Sequence, residues 1–473
     1  MSLSVLTDEQ IKGLLESLTV EELEMFYMDL KEALHDYSVG SQSGEDADIH
    51  MPHRQSINSS RTGATSLFMP SGSPAGLGVK VITLTPPQSA EQEAASSKPK
   101  IKPTGAITLF SATGQPIGIL HASTLTAFRT ALASACLVVK RNRVQTITAF
   151  GSGEQAYWHI RLTLMLRGST IRHVHIVNRR FSESAKRILQ RLYAVSTESK
   201  RREGWTDAKF ALLTPGYGDF DRLLREHVRA ADVIFCCTPS KEPLFDHSYL
   251  TSGEGRRKGR LIVAIGSYTP DMIEIPLEVL HMAVRTHTSG HRHFHKHAVE
   301  GGVVVVDTLD GALTEAGEVI QGGLTPNQLV ELGELVMLRR MKMDEESSSD
   351  SGSLLSSEAS SSTPVSELEK LDLTSGPTIS SVFRPSEDGS RSQPSSRPSS
   401  PSRSGSSIFH RRKSSHGSSD RKKQEKEDHL CKWLQAGNVI YKSVGLGLMD
   451  LTVGIKVIDF AKQKGVGTHV DGF

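Results

Sequence analysis

The chain lacks several features that mark whole classes of protein. It has only four cysteines among 473 residues, and their spacing matches no metal-binding motif, so a reducing cytoplasmic compartment is expected. No run of about 18 apolar residues is present, so no transmembrane helix is predicted. The first ten residues lack the charged-then-apolar pattern of a signal peptide. The net charge is only +2, so composition gives no reason to expect a nucleic-acid partner.

The most informative segment is a glycine turn between an apolar stretch and a helical one. Residues 147–150 are apolar or β-branched and predict a buried parallel strand, and Gly151-x-Gly153-x-x-Ala156 follows at once. Gly151 permits the tight turn, Gly153 lets the backbone approach a pyrophosphate, and Ala156 lets the helix pack closely on the sheet. A second strand is predicted at 171–177, which completes a βαβ unit. This context favours a dinucleotide-binding loop over a chance glycine turn.

The residues after the second strand indicate which dinucleotide is preferred. An acid at that position favours a free ribose 2′-hydroxyl, whereas a nearby arginine accommodates a 2′-phosphate. The chain has Asn178 at the acid position, followed by Arg179 and Arg180, and a guanidinium fork matches phosphate geometry. The sequence therefore predicts NADP(H) in preference to NAD(H). The alternative is that both arginines are ordinary surface charges.

Helix and strand patterns place the glycine turn in the middle of the chain. Capping boxes beginning at Thr7 and Thr19 predict two N-terminal helices, and β-like segments then lead into a helix at 124–140. Helices followed by strands predict an α+β unit. Beyond the βαβ unit, apolar runs typical of buried parallel strands continue. The β-like segments are 78–84, 105–110 and 116–120, and the later apolar runs are 231–238, 260–266 and 302–307.

The composition changes twice towards the C-terminus. Residues 344–428 are dominated by serine, proline and charge, and we predict that they are disordered because they cannot bury a core. Apolar residues at helical spacing then return, and an ordered end after a tether must dock on the incomplete α+β unit. The predicted fold is α/β, with a central Rossmann dinucleotide-binding domain inserted in an α+β domain built from both chain ends. The predicted parts are residues 1–143, the Rossmann domain 144–325, a connecting helix 326–343, the disordered segment 344–428 and a returning part 429–473.

Further motifs follow one another in a fixed order along the chain. They are Leu125-Thr-Ala-Phe-Arg-Thr-Ala131, Gly151-Ser-Gly-Glu-Gln-Ala156, Asn178-Arg179, residues 230–240 with Glu242-Pro243, Ala264-Ile-Gly266, Pro270-Asp-x-x-Glu274, Val306-Asp307, Glu315-Ala-Gly317, and Lys442-Ser-Val-Gly445 followed by Asp450. Together they resemble the ornithine cyclodeaminase and mu-crystallin family over roughly residues 3–467, apart from inserted loops. The resemblance implies that the α+β domain binds substrate and forms a homodimer through its N-terminal strands.

The resemblance also implies a site for a small carboxylate-bearing substrate. Arg129 and Arg54 match the arginines that bind the substrate carboxylate, a role that suits guanidinium geometry. Lys80 matches the family's acid/base lysine. Each has an alternative: an ion pair on its own helix for Arg129, an edge-strand position for Lys80, and Arg61 in place of Arg54. The implied cofactor-binding residues are Gly151, Ser152, Gly153, Gln155, Ala156, Asn178, Arg179, Arg180 and Thr238.

One position departs from the family. Where cyclodeaminases have an aspartate that acts on the ornithine δ-amine, this chain has Tyr268, and tyrosine is not the usual general base near neutral pH. We therefore predict an NADP(H)-dependent oxidoreductase that reduces a small carboxylate-bearing imine or acts on an amino acid. Two alternatives stay open. One is a cyclodeaminase-type lyase that releases ammonia and forms proline, and the other is a crystallin-like protein that binds NADP(H) and a small ligand without turnover.

A histidine-rich stretch also stands out. His287, His291, His293, His295 and His297 crowd one predicted loop. On an extended chain, His293, His295 and His297 would share a face and could bind a metal ion. No cysteine or carboxylate completes a specific spacing, so we favour a solvated loop and predict no metal site.

Overall fold

The strands of the protein form two sheets, one of seven strands and one of eight. The computed structural model describes residues 2–40, 48–86, 101–284, 301–338 and 430–473. The segment predicted to be disordered and the histidine-rich loop lie outside these residues. The strands are β1 (Ser2–Leu6), β2 (Gln55–Asn58), β3 (Thr65–Ser73), β4 (Gly76–Leu84), β5 (Thr104–Phe110), β6 (Pro116–His121), β7 (Thr146–Phe150), β8 (His173–Val177), β9 (Lys209–Leu213), β10 (Val233–Cys236), β11 (Leu261–Ala264), β12 (Gly302–Val306), β13 (Leu329–Glu331), β14 (Asn438–Lys442) and β15 (Thr468–Asp471).

Helices cover both sheets. They are α1 (Asp8–Glu16), α2 (Val20–Val39), α3 (Ala122–Val138), α4 (Glu154–Arg167), α5 (Glu183–Ala194), α6 (Thr197–Glu203), α7 (Phe220–Ala230), α8 (Ser248–Thr251), α9 (Leu277–Val284), α10 (Leu309–Glu315), α11 (Gly317–Gln321), α12 (Leu332–Val336) and α13 (Gly447–Gln463). Residues 430–436 are also helical. Within the described ranges, no helix is both long and apolar enough to span a bilayer.

The eight-stranded sheet is parallel throughout. Its strand order is β13-β12-β14-β11-β10-β7-β8-β9, and each neighbouring pair runs in the same direction. The glycine turn joins β7 to α4, and β8 follows, as the βαβ pattern predicts. The α/β fold with a Rossmann-like parallel sheet is therefore confirmed.

The seven-stranded sheet is mixed. Its order is β15-β1-β6-β5-β4-β3-β2. The pair of β1 with β6 is parallel, and the other neighbours are antiparallel. The predicted capping boxes at Thr7 and Thr19 are both formed, and they start α1 and α2. Because α13 packs on β3 and β4 and β15 pairs with β1, the C-terminal end joins this sheet.

One strand of the parallel sheet comes from the far end of the chain. β14 pairs with β11 on one side and with β12 on the other. This corrects the prediction that residues 429–473 return as a unit to the first domain, because 438–442 complete the second sheet instead. The strand is only five residues long and wholly buried, so it gives no alternating pattern by which the sequence could reveal it.

The predicted connecting helix at 326–343 also differs from the structure. Its described part consists of a 3-10 turn at Pro326–Gln328, the strand β13 and the short helix α12. β13 adds to β12 in parallel and forms one edge of the sheet. Three residues are too few for a sequence period to distinguish a strand from a helix.

Helix α3 positions the site because it contacts both sheets. It touches β4 and β5 of the mixed sheet and β11 of the parallel sheet, and it packs along α4. Nearly every residue of α3 is buried. A side chain on α3 can therefore reach the junction between the two sheets, and Arg129 lies on this helix.

Candidate active site

The glycine turn has the backbone that a phosphate-binding loop requires. Gly151 has a φ of +102°, a conformation that other residues rarely adopt, and a Cβ there would lie 2.9 Å from the carbonyl oxygen of Cys237. Gly153 precedes α4 without any side-chain cap, and a Cβ built on it meets nothing within 4 Å. There is therefore open space beside Gly153 at the N-terminus of α4, and a helix N-terminus favours an anion.

The predicted 2′-phosphate residues lie at the end of β8. The Asn178 side chain donates to the carbonyl oxygen of Arg180 at 2.7 Å, and this bond fixes the turn that carries Arg179 and Arg180. Both arginines are exposed, and neither makes an ion pair with another described residue. Close by, the hydroxyls of Ser152 and Ser184 are hydrogen-bonded at 2.8 Å.

Thr238 lies where three parallel strands end together. Its Cγ2 would be 3.0 Å from a Cβ on Gly151, and its backbone packs directly on Gly266. Its Oγ1 is buried and has no hydrogen-bond partner among the described residues, and the same holds for Oε1 of Gln155. Because unpaired buried polar atoms are costly, these atoms are expected to meet a bound ligand. The open helix end and the unpaired atoms fit a dinucleotide along this edge.

A buried glutamate holds two of these strand ends in place. Glu274 accepts hydrogen bonds from the backbone N–H groups of Thr238 at 2.8 Å and Gly266 at 2.6 Å. Burial is the main cause that raises the pKa of Glu274, to about 8, and the neighbouring carboxylate of Glu318 adds to the rise. The loops after β10 and β11 are thus tied together beside the glycine turn.

The predicted substrate residues Lys80 and Arg129 meet on one carboxylate. Lys80 Nζ lies 2.5 Å from Asp450 Oδ2, and Arg129 Nε donates to Asp450 Oδ1 at 3.0 Å. Lys80 and Arg129 are each 3 % exposed, and Asp450 is 1 % exposed. Two cations and one anion buried together leave one positive charge, which suits an anionic ligand. Asp450 belongs to a motif noted in the sequence, but no role was predicted for it.

The structure bears on the alternative roles named above for Arg129 and Lys80, and on the choice between Arg54 and Arg61. Arg129 pairs with Asp450 of α13, not with a residue of its own helix. Lys80 lies on β4, which is flanked by β3 and β5 and is not an edge strand. Arg61 is exposed, whereas Arg54 is partly buried and close enough for its charge to influence Lys80.

Burial gives Lys80 unusual acidity. Removal from water lowers its pKa to about 8, the charge of Asp450 opposes this fall, and the charges of Arg129 and Arg54 add to it. A lysine with a pKa near 8 can both donate and accept a proton near neutral pH. Because general acids and bases work best with a pKa near the operating pH, this lysine is suited to proton transfer.

Arg54, in the segment before β2, binds Glu315 at the end of α10. Its Nε donates to Glu315 Oε1 at 2.5 Å, and its Nη2 contacts Glu315 Oε2. Burial, with the charge of Arg129, lowers the pKa of Arg54 to about 10. Tyr268, which follows β11, also influences the pKa of Arg54, and the Tyr268 hydroxyl is buried without a partner among the described residues.

The loop after β14 packs closely against Arg129. Asp307, at the end of β12, accepts hydrogen bonds from Ser443 Oγ and from the N–H groups of Val444 and Gly445, at 2.7–2.9 Å. Gly445 has a φ of +84°, and a Cβ there would lie 2.8 Å from a guanidinium nitrogen of Arg129. The close approach of this backbone to Arg129 therefore requires glycine.

The sequence is similar to that of a known protein family. Residues 12–203 match the model of the ornithine cyclodeaminase/mu-crystallin family. The resemblance that the motifs predict is thereby confirmed. In the described part of the chain, no group of three or more histidine, cysteine or acidic side chains is placed to hold a metal ion.

Two relatives each match more than half of this chain. A Δ1-pyrroline-2-carboxylate reductase of Bacillus cereus is 28% identical over 60% of this chain and 74% of its own. An uncharacterised protein of Saccharomyces cerevisiae is 25% identical over 72% of this chain and 88% of its own. The solved structure of a Thermococcus litoralis Δ1-pyrroline-2-carboxylate reductase with NADH and L-proline has the same fold, with a TM-score of 0.57, 17% identity, and coverage of 99% of this chain and 100% of that one.

Proposed function

We propose that this protein is an NADP(H)-dependent oxidoreductase that reduces a small cyclic imine bearing a carboxylate. The observation that carries the proposal is the buried group of Lys80, Arg129 and Asp450 at the junction of the two sheets, with Arg54 beside it. It offers a lysine with a lowered pKa and two guanidinium groups, next to the edge of the parallel sheet where the glycine turn lies. Ligands of open parallel sheets bind at this carboxyl edge.

The proposed mechanism assigns one task to each side chain. Arg129 and Arg54 hold the substrate carboxylate by charge-assisted hydrogen bonds and thereby fix the ring. The Lys80 ammonium donates a proton to the imine nitrogen, which makes the neighbouring carbon more electrophilic. Asp450 keeps Lys80 protonated and holds its Nζ in place. When bound along the glycine turn, the reduced dinucleotide supplies the hydride.

Tyr268 favours imine reduction over cyclodeamination. Burial raises the pKa of Tyr268 to about 12, so its hydroxyl is neutral at physiological pH and does not accept a proton from a substrate ammonium. A neutral hydroxyl would pair poorly with the distal ammonium of a diamino acid. The substrate expected here therefore has a carboxylate and one nitrogen in its ring.

The preference for NADP(H) rests on Arg179 and Arg180. Both are exposed at the end of β8, and no acidic side chain occupies the preceding Asn178 position. An arginine there can pair with a 2′-phosphate, which is absent from NAD(H). We also propose that the protein forms a homodimer. A solved archaeal alanine dehydrogenase of the same fold, 17% identical, is described as a dimer.

The proposal is tested by measuring NADPH oxidation with Δ1-pyrroline-2-carboxylate, with the corresponding imine that lacks the carboxylate, and with ornithine. We expect turnover of the first compound only. Formation of proline and ammonia from ornithine in the presence of NADP+, with no net reduction of the dinucleotide, would establish a cyclodeaminase instead. Tight binding of NADPH and of the imino acid without turnover would establish the non-enzymatic alternative.

Two substitutions should then separate proton transfer from carboxylate binding. Lys80→Ala should lower kcat by about 10²–10⁴-fold with a modest change in KM, because it removes the proton donor. Arg129→Ala should raise KM strongly, because it removes a clamp used in both ground and transition states. Asp450 keeps one cationic partner in either variant.

The matched control is Lys462→Ala, on the exposed face of α13, which should behave like the parent protein. Dinucleotide affinity should survive Lys80→Ala and Arg129→Ala, because neither residue lies at the glycine turn. Parental kinetics in both variants would show that the site is elsewhere.

A further inference from the structure

A carboxylate from the parallel-sheet half of the protein binds the guanidinium of Arg54. Arg54 lies in the segment before β2, whereas Glu315 is the last residue of α10, which follows β12. The contact is bidentate, through Nε and Nη2 of the guanidinium and both oxygens of the carboxylate. The side chains are 13 % and 27 % exposed, so water competes weakly for this pair.

Glu315 occupies only one edge of the Arg54 guanidinium. The other edge is available for a second hydrogen-bond acceptor. A guanidinium has five N–H donors in a planar fork, and Glu315 takes one from Nε and one from Nη2. The remaining Nη2 hydrogen and both hydrogens of Nη1 are left, and Nη1 makes no hydrogen bond with any described residue. This second edge can accept another carboxylate while the first pair stays intact.

We propose that Glu315 is the positioning residue of Arg54, fixing its guanidinium so that the free edge binds the substrate carboxylate. The proposal rests on the proposed function, since it assigns Arg54 to carboxylate binding. A long arginine side chain loses much rotamer freedom when it is held. Prior orientation by Glu315 therefore lowers the entropic cost of binding the substrate.

A second contact joins the same two segments, the one before β2 and helix α10. His53 Nδ1 lies 3.4 Å from Asp310 Oδ2 on the same helix α10, but both side chains are largely exposed, at 77 % and 69 %. Exposed ion pairs contribute little, so this contact should not orient Arg54. It provides a matched control, because Asp310→Asn removes a charge from the same helix without touching Arg54.

The test measures the binding of two ligands to the NADPH-loaded protein. Pyrrole-2-carboxylate serves as the planar carboxylate probe, and pyrrole-2-carboxamide is its uncharged counterpart. Glu315→Ala should weaken the carboxylate by at least about tenfold, equivalent to about 1.4 kcal/mol, and leave the carboxamide and NADPH unaffected. Asp310→Asn should change none of the three affinities. In an Arg54→Ala background, Glu315→Ala should produce no further loss.

Several outcomes overturn the positioning role. Tighter carboxylate binding by Glu315→Ala would mean that Glu315 competes with the substrate for Arg54. Equal losses for both probes would mean that Glu315 is needed only for folding, and additive losses in the double variant would mean that it acts independently of Arg54. Absence of turnover with intact, acid-selective binding contradicts the proposed reductase but not this role. A parent protein that binds no carboxylate contradicts both.

Discussion

Replacing Asp450 by asparagine should shift the alkaline limit of imine reduction to lower pH. Burial lowers the pKa of Lys80 to about 8, and the carboxylate of Asp450 keeps it from falling further. An asparagine has nearly the same shape but no charge. The ammonium form of Lys80 then loses its closest stabilising anion, while the opposing charges of Arg129 and Arg54 remain, so the pKa of Lys80 falls.

The size of the shift follows from the distance between the charges. An opposite charge within about 4–6 Å moves a pKa by about 1–3 units, and Lys80 Nζ lies 2.5 Å from the Asp450 carboxylate. A fall of about two units, equivalent to about 2.7 kcal/mol, brings the pKa of Lys80 from about 8 to about 6. The protonated fraction at pH 7 then drops from about 90% to about 10%.

The assay is the pH dependence of kcat/KM for imine reduction. Below the folded pKa the lysine is protonated and can act as the acid, and activity is lost as pH rises through that value. The variant should therefore be about tenfold slower at pH 7 than at low pH, where its lysine is fully protonated, whereas the parent protein is nearly unaffected at pH 7.

Asp459→Asn is the matched control for this experiment. Asp459 is an exposed residue on the same helix α13, and its replacement should leave the pH profile unchanged. An alkaline limit that stays near pH 8 in Asp450→Asn would refute the role of Lys80 as the proton donor. A uniform loss at all pH values would instead indicate damage to Arg129, the other partner of Asp450.

Two further predictions concern the dinucleotide. Gly153→Ala should fold normally, since a Cβ there meets nothing within 4 Å, but it should weaken dinucleotide binding in a fluorescence titration because the methyl group enters the open space above α4. Gly151→Ala should lower the melting temperature as well, because of its φ of +102° and the nearby Cys237 carbonyl; equal stability of the two variants would contradict this. Arg179→Asp should remove most of the preference for NADPH over NADH, and equal affinities in the parent protein would refute that preference altogether.

The dinucleotide half was predictable from the sequence because its signals are local. The turn at Gly151 and the apolar runs around it combine a strict period with a steric requirement, and both can be read within a few residues. The capping boxes at Thr7 and Thr19 are equally local. β14 was not predictable, because its partners lie more than 130 residues earlier in the chain.

The substrate site was predictable only in part. The family motifs pointed to Lys80, Arg129 and Arg54, and the structure brings these three side chains close together. The partners Asp450 and Glu315 stood in the same list of motifs, but a motif does not say which cation a carboxylate faces. That information depends on how α13 and α10 pack on the rest of the protein, which no local pattern reveals.

The position of β14 has a consequence for how the chain is assembled and cut. During synthesis, β11 and β12 emerge well before the strand that separates them, so the parallel sheet cannot close until residues 438–442 have left the ribosome. Pairing between strands so distant in sequence makes folding slow. Conversely, cleavage of the chain between residues 339 and 429 should not release the C-terminal piece. β14, α13 and β15 would hold it through two sheets at once, and the two fragments should purify together as one particle.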